Sequence, residues 1–428
     1  MDDAQLAAHV VDGGRLRALV LELWQRTRMD WGFVTDRLAV AFRKEKWLGA
    51  HERRFVGEIL YGLVRHLRRV DFAIERGRKT KQSPRDLERL LALLVLEKLI
   101  EPARAARAVP ELDWTAVATA DDAIARVRDV TERIALACSL PDWLAARFVA
   151  DWGSDAEALA RALNERAPMT VRANLLVVAD RSELALPLAT HPGTWCDTAV
   201  IVDERANLFS LDAFQRGAFE AQDEGSQLLA DLVVACARRD KPLVVDYCAG
   251  AGGKTLAIAA RLGNRGRIVA TDVDDGKLAE LRRRARRAHV TNAQAMLVDD
   301  RALDTFAGKA DVVFVDAPCT GTGALRRNPE ARWRLRESDV AAFASRQREI
   351  LARAAQLCAP DGRIVYATCS VLRAENEEVV AGQPLVALAD VLGADRASAL
   401  GRGPTSFTVT PHQHGTDGFF AAVVGGHR

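Results

Sequence analysis

The stretch Leu243-Val244-Val245-Asp246-Tyr247-Cys248-Ala249-Gly250-Ala251-Gly252-Gly253-Lys254-Thr255 reads as a strand, a glycine turn and the start of a helix. A helical pattern over 254–262 follows the turn. Two familiar nucleotide-loop patterns fail here. A P-loop needs G-x-x-x-x-G-K followed by Ser or Thr, and the position five before Gly253 is Cys248. The dinucleotide pattern G-x-G-x-x-G fails because Thr255 stands in the third glycine place. The turn still lets backbone approach a ligand closely. The helix N-terminus behind it favours anionic groups.

Outward from this loop, short apolar runs at 243–248, 267–272, 293–298, 311–316 and 363–369 alternate with helical patterns at 275–288 and 339–357. Such alternation predicts an α/β fold, a doubly wound parallel sheet with helices on both faces. Runs at 407–410 and 418–424 predict a closing antiparallel pair. Upstream, 227–235 reads as an apolar helix with Ser226 at its N-cap, and 171–178 as a strand. Residues 1–138 read as helices: Leu16, Leu19, Val20 and Leu23 share one helical face, as do Phe55, Ile59, Leu60 and Leu63. Trp24, Trp31 and Trp47 are read as packing residues. The expected organisation is a helical domain over 1–138, a linking, substrate-side subdomain over 139–235, and the α/β domain over 236–428.

Composition narrows the class. The chain has 428 residues, 49% of them apolar and 28% charged, which excludes a mainly disordered protein. With 60 basic and 58 acidic residues the net charge is +2, so any nucleic-acid role must come from local patches. No apolar stretch approaches the ~20 residues of a membrane span. The start, Met1-Asp2-Asp3, lacks a basic segment followed by an apolar one, so the cytoplasm is the expected compartment. The seven cysteines are scattered with no C-x-x-C pair, so neither a zinc site nor a disulfide framework is expected, and no metal. A monomer is the default state.

Four strands of the predicted sheet end in acids: Asp246, Asp272, Asp299 and Asp316. In open α/β sheets the ligand crevice lies at the carboxyl ends of the strands, and an acid ~20 residues past a glycine loop suits ribose hydroxyls. Four carboxylates around one glycine loop suit a nucleoside with a cationic end. S-adenosylmethionine fits that description, and ATP fits it poorly. Each Asp taken alone also reads as a helix cap.

Cys319, in Asp316-Ala317-Pro318-Cys319, leaves the fourth strand of this sheet, and Cys369, in Tyr366-Ala367-Thr368-Cys369-Ser370, leaves the fifth. Neighbouring strands lie ~4.8 Å apart, so both thiols are expected at the carboxyl edge beside the crevice. Cys248 reads as packing beside the loop. A thiol suits methyl transfer to carbon 5 of a pyrimidine, itself a poor nucleophile. Addition of a thiolate at carbon 6 makes carbon 5 enamine-like and able to attack a methyl sulfonium. A carboxylate such as Asp316 suits the pyrimidine edge.

Two basic clusters accompany these motifs. Arg282, Arg283, Arg284, Arg286 and Arg287 crowd one helix and read as a solvated face. Arg326, Arg327, Arg332, Arg334 and Arg336 surround Trp333 after the Pro-Cys motif. There, contact with RNA phosphate is expected from Arg326 and Arg327, while Trp333 reads equally as a base-stacking or a packing residue.

Together these motifs resemble the Nol/Nop/Sun family of RNA cytosine-5 methyltransferases, in its bacterial RsmB (Fmu/Sun) branch. The resemblance rests on 246–255, on Asp316-Ala317-Pro318-Cys319-Thr320-Gly321-Thr322-Gly323 with Arg326-Arg327-Asn328-Pro329, and on 366–370 with Glu375-Asn376-Glu377. The ending Asp417-Gly418-Phe419-Phe420 and the upstream Arg172-Ala173-Asn174 and Gln222-Asp223 agree with it. The helical N-terminus resembles a NusB-like RNA-binding domain. The resemblance implies a class I methyltransferase fold and S-adenosylmethionine as cofactor. The loop Cys248, Ala249, Gly250, Ala251, Gly252, Gly253 and Lys254 would hold it, with Asp272, Asp299 and Asp316. It further implies Cys369 as nucleophile, Cys319 as the thiol that assists adduct breakdown, and RNA, most naturally 16S ribosomal RNA, as substrate. Gly250-Ala251 replaces the family's usual Ala-Pro, and cofactor binding is expected to survive the change. The rival readings are a non-catalytic RNA-binding protein on a methyltransferase fold, and the same chemistry on transfer RNA.

Overall fold

The computed structural model describes residues 2–78, 82–204, 206–298 and 303–425. The chain divides into two units: Met1–Glu165 with Leu325–Glu337, and Arg166–Ala324 with Ser338–Arg428.

The first unit is helical, from Asp3–Asp12 to Ala156–Asn164. Helix Gly14–Asp30 buries Leu16, Leu19, Val20 and Leu23, and helix Ala50–Arg65 buries Phe55, Ile59, Leu60 and Leu63, so the expected apolar stripes face a core. Helix Asp86–Leu96 is buried on every side from Leu90 onward and forms the middle of that core. Trp24 is fully buried and donates its indole N–H to Asp86 Oδ1 at 3.1 Å. Helices continue past the expected boundary at 138, through Asp142–Trp152 and Ala156–Asn164, and the unit ends at Glu165. The segment expected as one linking subdomain is therefore split between the units.

Leu325–Glu337 packs with the helices, which corrects the reading of its basic cluster. Trp333 donates its indole N–H to Val64 O at 2.8 Å, and its ring lies 5.8 Å from Trp31. That is a packing role, not the open face that base stacking needs. Arg332 is fully buried and donates to Pro329 O, Cys138 O and Asn164 Oδ1. Arg326 is buried and Arg327 half-buried, so Arg326 does not present a side chain to phosphate. Arg334 and Arg336 are exposed.

The second unit holds two sheets. β1 (Met169–Ala173), β2 (Thr190–Pro192), β3 (Ala199–Val202) and β4 (Phe219–Ala221) form an antiparallel sheet in the order β2-β3-β1-β4. β1 stops at Ala173, short of the expected 178. There Asn174 turns the chain, accepting from Leu176 N and donating to Gly217 O and Ala288 O.

The larger sheet comprises β5 (Leu243–Asp246), β6 (Arg267–Asp272), β7 (Ala293–Leu297), β8 (Ala310–Asp316), β9 (Cys358–Thr368), β10 (Ser406–Val409) and β11 (Phe419–Gly425). Its order is β10-β11-β9-β8-β5-β6-β7. β5 to β9 pair in parallel, and β11 runs antiparallel between β9 and β10, the expected closing pair. Val312, Val313, Phe314 and Val315 are all buried, as a sheet covered on both faces requires. Strand order reverses between β5 and β8, which opens a crevice at their carboxyl ends.

Helix Glu224–Cys236 precedes β5. Asp223, not Ser226, is its N-cap and accepts from Gly225 N at 2.9 Å; Ser226 lies inside the first turn and accepts from Gln222 Nε2. Helix Asp275–Arg287 is capped by Asp274, two residues beyond the strand-end Asp272. Among the described residues no helix is long and apolar enough to cross a membrane.

Candidate active site

The glycine loop is held from three sides. Tyr247 N donates to Phe314 O of β8, and Ala249 N to Thr271 O of β6. Gly250 N donates to Asp272 Oδ2 at 2.9 Å, and Arg284 Nη1 donates to Ala251 O at 2.9 Å. Gly252 has φ +84° and starts helix Gly253–Arg261; a Cβ there would meet Leu281 Cγ at 2.5 Å, so only glycine fits. Gly250, at φ +56°, and Gly253 have no described neighbour within 4 Å of a Cβ position, so these backbone sites are open to a ligand.

Asp246 ends β5 beneath the loop and is buried. Its Oδ2 accepts from Thr255 Oγ1 at 2.6 Å, while its buried Oδ1 has no partner among the described residues. Burial pushes the carboxyl up to about 7, and the nearby Asp316 and Asp272 add to the rise. Asp272 accepts from Gly250 N and Asp274 N, so it fixes the loop as well as lining it. Asp299 lies outside the described residues. The open glycine backbone, the unmet acceptor of Asp246 and the strand-end acids together fit a nucleoside ligand that carries a positive charge.

The two expected thiols meet. β8 and β9 pair with Asp316 opposite Ala367, and the loops that follow bring Cys319 Sγ to 3.3 Å from Cys369 Sγ. The hydrogen bond between them, and then burial, pushes the Cys319 thiol well above its ordinary range. Lys254 Nζ lies 2.6 Å from Asp316 Oδ2. Burial works against the Lys254 ammonium, but Asp316 outweighs it, and a further contribution comes from Cys369. Lys254, expected only in the cofactor loop, thus also pairs with a strand-end acid and lies within the electrostatic reach of Cys369. Cys248 is driven up by burial and by Asp246, which keeps it an inert thiol. Burial also pushes Cys138, Cys236 and Cys358 to about 11.

Residues without an expected role complete the site. Glu375 is fully buried and accepts from Thr320 N, Thr320 Oγ1, Ser370 Oγ and Gln347 Nε2. Arg284 and Arg287, read as part of a solvated face, instead pair with the buried Glu220 of β4. Only Arg282, Arg283 and Arg286 of that cluster are exposed. Both inward arginines flank the apolar stripe of Leu281 and Ala288 at helical spacing, a signal present in the sequence. Among the described residues no group of three or more His, Cys, Asp or Glu side chains could hold a metal.

Comparison with known proteins agrees with this geometry. Residues 233–424 match the family described as 16S rRNA methyltransferase RsmB/F, and residues 140–208 match the ferredoxin-like domain of RsmF/B-like methyltransferases. A Xanthomonas campestris protein named ribosomal RNA small subunit methyltransferase B is 30% identical over 397 residues, covering 87% of this chain and 89% of that protein. A Mycobacterium tuberculosis protein named as a methyltransferase is 38% identical over 295 residues, covering 66% of this chain but only 63% of its own length. Among solved structures, PH0851 superposes with a TM-score of 0.74 at 24% identity, covering 95% of this chain and 97% of that one. NSun6 from Pyrococcus horikoshii with SFG has a TM-score of 0.58 at 21% identity, covering 67% and 98%. These two likenesses concern the fold. The chain belongs to the RsmB/F methyltransferase family, with the class I methyltransferase fold and the S-adenosylmethionine cofactor of that family.

Proposed function

We propose that this protein methylates carbon 5 of a cytosine in 16S ribosomal RNA through a covalent adduct between Cys369 and the base. The observation that carries this reading is the thiol pair at 3.3 Å, beside the glycine loop and the Lys254–Asp316 pair. In this reading the loop from Cys248 to Lys254 holds the cofactor, and Asp272 meets its ribose. S-adenosylmethionine supplies an electrophilic methyl group when bound.

Cys369 acts as a thiolate, and its Sγ adds to carbon 6 of the cytosine. Asp316 accepts from the amino group on the pyrimidine edge and holds the base in place, while Lys254 orients its carboxylate. After methylation, carbon 5 loses its proton to a base and the bond from carbon 6 to Cys369 Sγ breaks. The electron pair of that bond returns to sulfur. Cys319, as a thiol 3.3 Å from Cys369 Sγ, stabilises the departing thiolate by donating to it. A target base in structured RNA must leave its stack to reach these thiols.

Labelled S-adenosylmethionine and unmodified 16S ribosomal RNA test the reading, with nucleoside analysis of the product. Label is expected in 5-methylcytidine. Cys369→Ala should lower the rate at least about a thousandfold while cofactor still binds. Cys319→Ala should accumulate a protein–RNA adduct that survives denaturation. An adduct in Cys369→Ala and none in Cys319→Ala would exchange the two roles. Label in transfer RNA alone would change the substrate.

A further inference from the structure

Glu375 stands apart from every residue assigned above. It touches neither thiol, yet it holds both loops that carry them. Its Oε1 accepts from Thr320 N at 2.8 Å and from Gln347 Nε2 at 3.1 Å; its Oε2 accepts from Thr320 Oγ1 and Ser370 Oγ, both at 2.5 Å. Thr320 follows Cys319, and Ser370 follows Cys369. Gln347, from helix Glu337–Leu357, also donates to Pro318 O at 2.9 Å, on the other side of Cys319.

The clamp is buried and braced. Tyr366 of β9 donates its hydroxyl to Glu375 O at 2.6 Å, and Asn376 Nδ2 donates to Ser370 O at 2.9 Å. Gly323 N donates to Cys369 O at 2.9 Å, which ties the loops a second time. A carboxylate with four donors is the natural hub for such loops. It accepts at both oxygens, and a neutral side chain of the same size cannot accept all four. Holding a buried carboxylate in a dry site is costly unless its bonds are met, and here they are met by the residues that fix the thiols.

We propose that Glu375 is the positioning residue for the thiol pair: by holding Thr320 and Ser370 its carboxylate sets the spacing of Cys319 and Cys369, and it places a negative charge near Cys319. The inference deepens the proposed function and rests on it for the roles of the two thiols, but not for the clamp itself. The titratable and charged groups around the pair are few. Cys369 and Glu375 act on Cys319, Lys254 feels Cys369, Tyr366 feels Cys319 and Glu375, and Arg348 acts on Tyr366 from helix Glu337–Leu357. Glu375 is the carboxylate among the groups acting on Cys319, and its field opposes a second thiolate beside Cys369.

The test reads the thiols directly and needs no RNA. In a Cys369→Ser background, the pH profile of Cys319 alkylation by iodoacetamide reports the acidity of that thiol. Glu375→Gln should move its midpoint down by about one pH unit or more. In the otherwise unchanged protein, diamide should oxidise the pair to a disulfide rapidly, with two thiols giving up two electrons and two protons to the diazene. Glu375→Ala should slow that step about tenfold or more by spreading the loops. Ser370→Ala, which removes one donor and keeps the charge, should slow oxidation less and leave the Cys319 midpoint in place.

Two results would overturn the proposal: an unchanged Cys319 midpoint in Glu375→Gln, or an unchanged oxidation rate in Glu375→Ala. A merely structural role would lower thermal stability without moving the Cys319 midpoint. Failure of the native protein to methylate any cytosine would remove the proposed function and leave these readouts to judge the clamp alone.

Discussion

His66, half-buried in the helical unit, and Asp246, buried at the sheet edge, are both titratable groups shifted by burial, and in opposite directions. Burial and the nearby Arg69, Arg65 and Arg332 hold His66 down to about 3, so it is a neutral ring. Its Nδ1 lies 3.5 Å from Asn164 Nδ2, and Asn164 Oδ1 accepts from Arg332. Burial raises Asp246 to about 7, yet one of its oxygens meets nothing. In the helical unit Arg332 and Asn164 tie their neighbours internally, although Arg332 Nη2 is itself unmet among the described residues. The sheet edge leaves an acceptor of Asp246 unmet where a ligand arrives. A buried polar group left unmet calls for a reason, and at the sheet edge the ligand crevice supplies one.

The strongest way to break this contrast is Arg332→Ala. The change leaves Pro329 O, Cys138 O and Asn164 Oδ1 unmet and opens a cavity, which should cost the helical unit about 4 kcal/mol. Circular dichroism should show an earlier thermal transition, with S-adenosylmethionine affinity unchanged. Unchanged stability with weaker RNA binding would mean that Arg332 is a phosphate contact after all.

Asp246→Asn sharpens the other side. The folded carboxyl titrates at about 7, well above its unfolded value, so its favourable contribution is complete below about pH 4 and is lost as pH rises through 7. The amide has no charge to bury. The variant should therefore match the native protein near pH 4 and exceed it above pH 7 by about 4 kcal/mol, read from urea unfolding at pH 4 and pH 8. The same stability difference at both pH values would show that the native carboxyl does not change ionisation in that window. S-adenosylmethionine affinity should fall at pH 8, where a donor replaces the unmet oxygen of the native carboxylate.

How much of this was legible in the sequence follows the range of the interactions. The parallel strands, the glycine loop and the approach of Cys319 to Cys369 rest on short-range signals: β-branched runs, glycine spacing, and strand ends that neighbour one another. The roles of Trp333 and Glu375 were not legible. Trp333 finds Val64 O at a separation of 269 residues, and Glu375 finds Thr320 at 55 and Gln347 at 28. No local pattern reports such partners. Ser226 was misread because Asp223 competes for the same helix start, and an Asp three residues earlier caps equally well. The compact helical unit runs on to Glu165, although the matched ferredoxin-like domain begins at 140. Apolar stripes continue to Leu163, past a turn at Ser139 that resembles a domain end.

The smallest effect separates two neighbours on one helix. Arg283 is exposed and pairs with Glu280 one turn away, an interaction that water and salt screen. Arg284, one residue on, is largely buried, pairs with Glu220 at 3.0 Å and donates to Ala251 O in the glycine loop. Where the family's proline is absent, that bond helps to hold the turn. Arg283→Ala should leave the melting temperature and cofactor affinity where they are. Arg284→Ala should cost about 1 kcal/mol of stability, since Arg287 still answers Glu220, and should weaken S-adenosylmethionine binding several-fold in calorimetry. Equal effects from the two would return the whole cluster to a solvated face. A cofactor loss confined to Arg284→Ala would show that the small antiparallel sheet, through Glu220, helps to shape the cofactor loop.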